Sequence, residues 1–272
     1  MITGIKRMAI HDGDGVRSTV FFKGCPLKCI WCHNPENISF EKEIAFYQRK
    51  CIGCRSCEKD GPQACPTGAK VYYGEEWTVE ALTDELLQDR DFFESSGGGV
   101  TLSGGECLAQ AEFAIALAKH LYERGISVDI DTCGFVSPQV LKDIIPYTDT
   151  FLYDIKAIDP KVHRKCTGQD NTLILENLKY LAEAGCKIEI RYPFVPGYND
   201  GECHKIGQFL KEIKQITKVK VLGYHGYADT KYQALGMPDT LPKVTVTPED
   251  VDAAVDILCG YGLTAVNGMR ED

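Results

Sequence analysis

Six strand-like runs alternate with helical sequence along this chain, and that alternation restricts the fold more than any other feature. The runs are "STVFFKG" (18–24), "GGVTLSG" (98–104), "SVDIDTC" (127–133), "TFLYDIK" (150–156), "KIEIRYPFV" (187–195) and "KVKVLGYH" (218–225). They are rich in Val, Ile, Phe and Tyr, residues that suit a pleated, half-buried surface. The intervening segments carry helical spacing: "TVEALTDELLQDRDFFES" opens on Thr78, while "CLAQAEFAIALAKHLYERG" and "TLILENLKYLAEAG" end on Gly125 and Gly185, good C-caps. Strands joined through helices lie parallel, with right-handed crossovers. A chain of 272 residues with 44% hydrophobic content can bury one large core. The expected fold class is α/β, a partial (β/α)6 TIM-like barrel with fewer than eight strands.

Charge and cysteine usage narrow the function. The formal net charge is −9 and no long basic run occurs, which argues against nucleic acid and anionic membranes as partners. Apolar runs are short, as in "AIALA" (114–118), so neither a membrane span nor a signal peptide is expected and the location reads as cytoplasmic. Seven of the thirteen cysteines fall between Cys25 and Cys65. In a cytosolic chain such clustering points to metal binding or redox chemistry. The scattered six, Cys107, Cys133, Cys166, Cys186, Cys203 and Cys259, read as small buried hydrophobes.

Residues 34–73 break the β/α rhythm. They contain Cys51, Cys54, Cys57 and Cys65 in the pattern C-x2-C-x2-C-x7-C-P, which resembles half of a bacterial ferredoxin. The expectation is a small ferredoxin-like [4Fe–4S] insert (34–73) after the first strand of a barrel made from 1–33 and 74–272. A structural Zn(Cys)4 site is the alternative. With four ligands, either site is closed.

The segment "KGCPLKCIWCHNPE" differs. Cys25, Cys29 and Cys32, spaced C-x3-C-x2-C, supply three soft ligands. A cubane held by three thiolates leaves one iron open to a substrate or cofactor. His33 is an alternative fourth ligand, but its place next to Cys32 hinders it from reaching round the same cluster.

At this point the chain resembles the radical S-adenosylmethionine enzymes, and within them the glycyl radical enzyme activating enzymes, the group that includes pyruvate formate-lyase activating enzyme. The resemblance implies that the open iron takes the amino and carboxylate groups of S-adenosylmethionine. "HDGDGVRS" resembles the family's D-G-P-G-x-R segment through Asp12, Gly13, Gly15 and Arg17, with Asp14 in place of proline, and implies a mobile loop near the incoming partner peptide at the barrel mouth. "LSGGE" resembles its G-G-E motif: Gly104 and Gly105 allow close approach, and Glu106 offers an acceptor to the cofactor's ammonium. "DTCGF" resembles D-T-N-G-F with Cys133 for Asn, and "YDIK" supplies Asp154 and Lys156. Arg191 in "IRYPFVPGYND" and His225 in "GYHGYADTKY" complete the expected cofactor contacts. Asp131 and Asp154 are further expected to share a monovalent cation.

Asp131, Asp154, Lys156, Arg191 and His225 fall near the C-terminal ends of predicted strands, the end that carries the chemistry in β/α barrels. The family's activity is reductive cleavage of S-adenosylmethionine to a 5′-deoxyadenosyl radical that removes a hydrogen atom from a backbone glycine of a partner glycyl radical enzyme. Flavodoxin or ferredoxin is the expected electron donor and a monomer the expected state. A radical S-adenosylmethionine enzyme acting on a small molecule is the alternative, whereas a plain electron carrier would have no use for the trio and the strand-end residues.

Overall fold

The computed structural model describes residues 1–270. Its strands are Ile2–Ala9 (β1), Arg17–Phe22 (β2), Glu43–Phe46 (β3), Lys70–Tyr73 (β4), Gly99–Gly104 (β5), Ser127–Thr132 (β6), Thr150–Asp154 (β7), Ile188–Phe194 (β8), Ile216–Gly223 (β9) and Ala265–Asn267 (β10). All six predicted strands are present, as β2 and β5 to β9. They form the centre of an eight-stranded sheet of order β1-β2-β5-β6-β7-β8-β9-β10. Every neighbour from β2 onward is parallel, and β1 joins β2 antiparallel. The chain is therefore α/β with a mostly parallel sheet. That sheet curls enough for His11 and Met269, which flank its two edges, to line one cavity.

Two strands of the main sheet, β1 and β10, escaped the sequence reading, as did β3 and β4. Ile2–Ala9 is a strand whose charged residues hide the alternation. Arg7 is held by Glu85 at 2.6 Å and Asp89 at 2.5 Å, which ties this edge strand to the first helical layer. Asp89 also accepts from Ser18 Oγ at 2.6 Å. At this anchored residue the predicted helix from Thr78 splits into Val79–Leu86, a 3-10 turn and Arg90–Ser96. The other missed strand, β10, is too short to show a period.

The helical ends follow local chemistry. Thr78 caps its helix by accepting from Ala81 N at 3.1 Å. Gly125 and Gly185 close the two long helices in left-handed conformation. Buried Val, Leu and Ile from the strands, such as Val100, Leu102, Val128 and Ile130, pack against Leu82, Leu117, Leu121 and Leu178 of the helices. Within residues 34–73, β3 pairs only with β4, in a two-stranded sheet of its own. Among the described residues, no helix is long and apolar enough to cross a membrane.

The segment carrying Asp12 to Arg17 lies at the N-terminal ends of the parallel strands, opposite the cysteines. Arg17 is 1% exposed and donates to Thr101 Oγ1 at 2.7 Å and Val100 O at 2.8 Å, with Asp129 Oδ2 at 3.3 Å. Gly15 fits against the backbone of Gly98, and Gly13 against Asp129 and Arg17, where a Cβ has no room. These contacts correct the expectation of a mobile loop at the barrel mouth. Gly13, Gly15 and Arg17 fasten a plug, and only His11 and Asp12 of this stretch reach the cavity.

Burial holds the Asp129 carboxyl up at about 6 even though Arg17 pulls it down. A carboxyl raised in this way stabilises the fold fully below its ordinary range near 4 and loses that contribution as pH rises through 6. Arg17→Met strands the carboxylate, with an expected loss of about 3–5 kcal/mol when it is charged. The deficit should be smaller at about pH 5, where Asp129 takes a proton, than at about pH 8. Urea denaturation at both values checks this; equal deficits would show that the ion pair is not what Arg17 contributes.

Candidate active site

The cysteine loop leaves β2 through two pinned residues. Lys23 is buried, its ammonium donating to Glu36 O at 2.7 Å and to Glu43 Oε2 at 2.6 Å. Gly24 N and Cys25 N then donate to Asn37 O and Ile38 O, so the loop closes on itself. Lys28 N and Ile30 N donate to Thr167 O and Cys166 O at the end of the helix Pro160–Thr167. From the other side Lys231 reaches Glu36 Oε1 at 2.6 Å and Tyr232 OH donates to Cys32 O at 3.3 Å. A loop without regular structure is thus fixed on both flanks.

Cys25, Cys29 and Cys32 face one cavity of about 650 Å3 at the C-terminal ends of the strands. None is in a disulfide. Burial pushes the Cys32 thiol up to about 12 and Cys29 higher still, so thiolates here need a positive partner. Among the described residues no three His, Cys, Asp or Glu side chains converge as a single metal ion requires. A cubane instead spreads three thiolates over three irons, and three unpaired thiols around a shared cavity fit that donor set.

The other predicted residues mostly meet at this cavity. Gly104, Gly105, Asp131, Asp154, Lys156, Arg191 and His225 all line it. The glycines are there because β5 ends against Phe22 and Gly24, leaving no space for a Cβ. Asp131 accepts from Ser103 Oγ at 2.6 Å, with Arg191 Nη1 at 3.6 Å. Burial raises its carboxyl to about 6, against the pull of Arg191. Lys156 lies 2.5 Å from Asp154 Oδ2; burial opposes its charge most strongly of any single factor, but Asp154 together with Cys29 and Cys133 more than offsets it and holds the ammonium charged. The two acids expected to share a cation therefore each hold a protein cation.

Glu106 does not face the cavity. Its carboxylate is fully buried and accepts from Thr132 Oγ1 at 2.9 Å, Cys133 N at 2.8 Å and Leu108 N at 3.1 Å. The sequence reading gave it to the cofactor's ammonium; the structure spends every visible contact of that side chain on the protein. His33 is likewise occupied, its Nε2 lying 2.8 Å from His225 O and its ring stacked on His225 at 4.0 Å between centroids. Burial, then His225, lowers its imidazole to about 4. It stands in an aromatic stack that continues to Tyr227 at 4.5 Å, rather than as a fourth ligand to the cysteine trio.

Several lining residues were not read from the sequence, among them Lys220, Tyr224, Tyr227 and Met269. Lys220 alternates with Lys218 in a strand-like run, and alternation alone does not distinguish the cavity face from solvent. Of the scattered cysteines, Cys107, Cys133, Cys166 and Cys203 are buried, Cys186 is half-buried and Cys259 is exposed, which corrects that last reading. Cys133 is more than a hydrophobe, since it lines the same cavity as Cys25. In the insert, Cys51 and Cys54 are exposed, and Cys57 and Cys65 partly so.

A cavity with four free thiols, three acids, three cations and an aromatic stack suits a ligand that carries an ammonium, a carboxylate and a heteroaromatic ring. The comparisons with known proteins agree with that chemistry. The sequence profile of the Radical SAM superfamily matches residues 19–210. The chain is 38% identical to the trans-4-hydroxy-L-proline dehydratase activating enzyme of Clostridioides difficile, covering 86% of this chain and 87% of that protein. It is 36% identical to the choline trimethylamine-lyase activating enzyme of Oleidesulfovibrio alaskensis, covering 87% of each. The pyruvate formate-lyase 2-activating enzyme of Escherichia coli is also 36% identical, over 93% of this chain and 86% of that one. A solved domain of pyruvate-formate lyase-activating enzyme from Bacteroides vulgatus superposes with a TM-score of 0.54 at 30% identity, over 63% of this chain and 99% of the domain. Streptococcus suis SuiB shares the fold alone, with a TM-score of 0.62 at 15% identity over 92% of this chain and 47% of SuiB. The chain belongs to the Radical SAM superfamily and, within it, to the glycyl radical enzyme activating enzymes.

Proposed function

We propose that Cys25, Cys29 and Cys32 hold the [4Fe–4S] cluster of this activating enzyme and that Asp131, Asp154, Lys156, Arg191 and His225 seat S-adenosylmethionine beside it. When bound, the reduced cluster supplies the electron that cleaves S-adenosylmethionine to methionine and a 5′-deoxyadenosyl radical, which takes a hydrogen atom from a glycine Cα of the partner. The observation that carries this is one cavity presenting the three thiols together with these five side chains. Lys156 offers a charged donor to a carboxylate, and Asp154 orients it. The His33–His225–Tyr227 stack offers a flat face to adenine. No side chain is needed as a proton carrier, so the acids position charge and exclude alternatives. A monovalent cation beside Asp131 and Asp154 belongs to the same reading, supported by the mutual repulsion of the two carboxylates.

The partner is a folded glycyl radical enzyme that presents its glycine loop at the open side of the sheet. Cys51, Cys54, Cys57 and Cys65 hold an auxiliary [4Fe–4S] cluster. In support, the Thr67 hydroxyl and then the Lys70 amide lower the Cys65 thiol to about 7, and Ser56 lowers Cys54, which favours thiolates ready for metal. Ile52, at 68% exposed, stands among these cysteines with Arg49, Lys50 and Arg55 nearby in sequence. An exposed apolar residue with basic neighbours in sequence suits an acidic flavodoxin or ferredoxin as electron donor.

Reconstituted protein should hold on the order of eight irons, and Cys51, Cys54 and Cys57 changed together to Ala should lose about half of them. Full iron retention, or zinc in that site, overturns the auxiliary cluster. Cys29→Ala should abolish 5′-deoxyadenosine formation under dithionite, whereas Asp154→Ala should keep the iron and bind S-adenosylmethionine more weakly. With a glycyl radical enzyme encoded beside this chain, anaerobic mixing should produce a glycine-centred EPR doublet that a Gly→Ala partner lacks. Cofactor cleavage that instead moves deuterium to a small metabolite would assign the activity to a different substrate class.

A further inference from the structure

We propose that the outer face of β3 and β4, built from Ile44, Phe46 and Tyr72, docks the partner glycyl radical enzyme beside the mouth of the cavity. The inference deepens the reading above and rests on it, because the partner's glycine has to reach a radical made in that cavity.

The two strands are amphipathic in the inverted sense. Ile44 and Tyr72 are register partners and Phe46 stands two residues on, so the three side chains share one face. Ile44 is 46% exposed, Tyr72 39% and Phe46 44%. On the opposite face Ala45 is fully buried, and Glu43 accepts from the Lys23 ammonium at 2.6 Å. Single exposed apolar residues are ordinary, but three on one face of a small sheet form a patch that calls for a partner. The Lys23–Glu43 pair also fixes that face relative to the site, since Lys23 stands at the head of the cysteine loop.

Position and charge select the occupant. Phe40, 47% exposed, lies against Gly24, and Asn37 and Ile38 just before it line the cavity. Side chains thus lead from the rim of the cavity, through Phe40, to β3. A protein whose backbone glycine enters the cavity has to cover that rim, whereas an electron donor has only to come within reach of a cluster. The cations beside the face are Lys42, 4.6 Å from the centre of the Tyr72 ring, and Lys70, the register partner of Phe46. The connection between β3 and β4, residues 47–69, adds four cations against two acids, in a chain whose net charge is −9. The matching surface is therefore apolar at its centre, with carboxylates around it. Three side chains form the centre of such an interface rather than its whole area.

The test uses iron-loaded protein and the glycyl radical enzyme encoded beside this chain, with dithionite as reductant so that no protein donor is involved. Ile44→Thr, Phe46→Thr and Tyr72→Thr together keep strand propensity and remove the apolar face. The triple variant should keep its iron and its 5′-deoxyadenosine formation without partner. It should need about tenfold more partner for half-maximal glycyl radical by EPR. A synthetic peptide carrying only the glycine loop should serve variant and wild type equally. Lys42→Glu with Lys70→Glu should also raise the demand for full-length partner, by a factor that shrinks as salt is added. Should the triple variant lose iron, Phe46→Thr alone takes its place, with a smaller rise in the same direction. Unchanged demand for full-length partner in the apolar or the charge-reversed variant overturns the proposal, as does an equal loss with the peptide. A defect seen only when flavodoxin or ferredoxin replaces dithionite overturns it in favour of the electron donor. A wild-type dimer that the apolar variant turns into a monomer overturns it in favour of a second copy of this chain. If the wild type cleaves no S-adenosylmethionine, the site reading falls and this inference with it. Cleavage with unchanged partner demand leaves the site reading standing and sinks this inference alone.

Discussion

The interior of the sheet is held by one buried guanidinium. Arg191, 7% exposed on β8, has Asp131 at 3.6 Å, Asp12 at 3.8 Å and Glu189 at 3.8 Å, and donates to His11 O at 2.8 Å. Burial alone would weaken its charge, but Asp131, Glu189 and Asp12 more than compensate and hold the proton more firmly than usual. The same cation therefore faces the site acids on one side and the N-terminal plug on the other. Its Nε finds no hydrogen-bond acceptor, so the arrangement rests on charge more than on ideal geometry. Removing a buried charge from such a set leaves others uncompensated, which is why the site and the floor of the sheet stand or fall together.

That coupling explains the fate of the glycine-rich segment. Glycine and aspartate in "HDGDG" read as flexibility because composition reports what a backbone is able to do. The structure uses the same residues for close packing: Gly15 against Gly98, and Asp14 paired with Lys187 at 2.9 Å. Arg17 then anchors the segment from inside the sheet. Asp12 is the exception, with Thr19 Oγ1 donating to its carboxylate at 2.8 Å while the residue lines the cavity.

Much of the fold was legible because its signals are local. Strand composition located β2 and β5 to β9, and glycine C-caps located two helix ends. The site was legible where a residue type stands at a strand end, as Asp131 and Asp154 do, whereas Arg191 lies in the middle of β8. What stayed hidden depended on direction rather than identity. Lys220 is indistinguishable from a surface lysine until the curl of the sheet turns it inward. β1 was concealed by charges that pair with Glu85 and Asp89, partners remote in sequence. The direction of the Glu106 side chain was illegible for the same reason, since its acceptors' donors come from the next strand.

Glu106 also shows why a short motif can be indispensable without its acid touching the ligand. Gly104 and Gly105 let β5 end directly against Phe22 and Gly24, and Gly105 N donates to Phe22 O at 2.9 Å while Glu106 N donates to Gly24 O at 2.9 Å. The backbone of the motif thus locks the start of the cysteine loop. Its carboxylate, whose proton affinity burial raises against four opposing hydrogen bonds, locks the turn after β6 that bears Cys133. Glu106 is thus bonded both to the backbone that leads into Cys25 and to that of Cys133, and both cysteines line the cavity. A shorter or uncharged side chain at that position would free the turn after β6, while the backbone bonds to Phe22 and Gly24 still held the start of the cysteine loop.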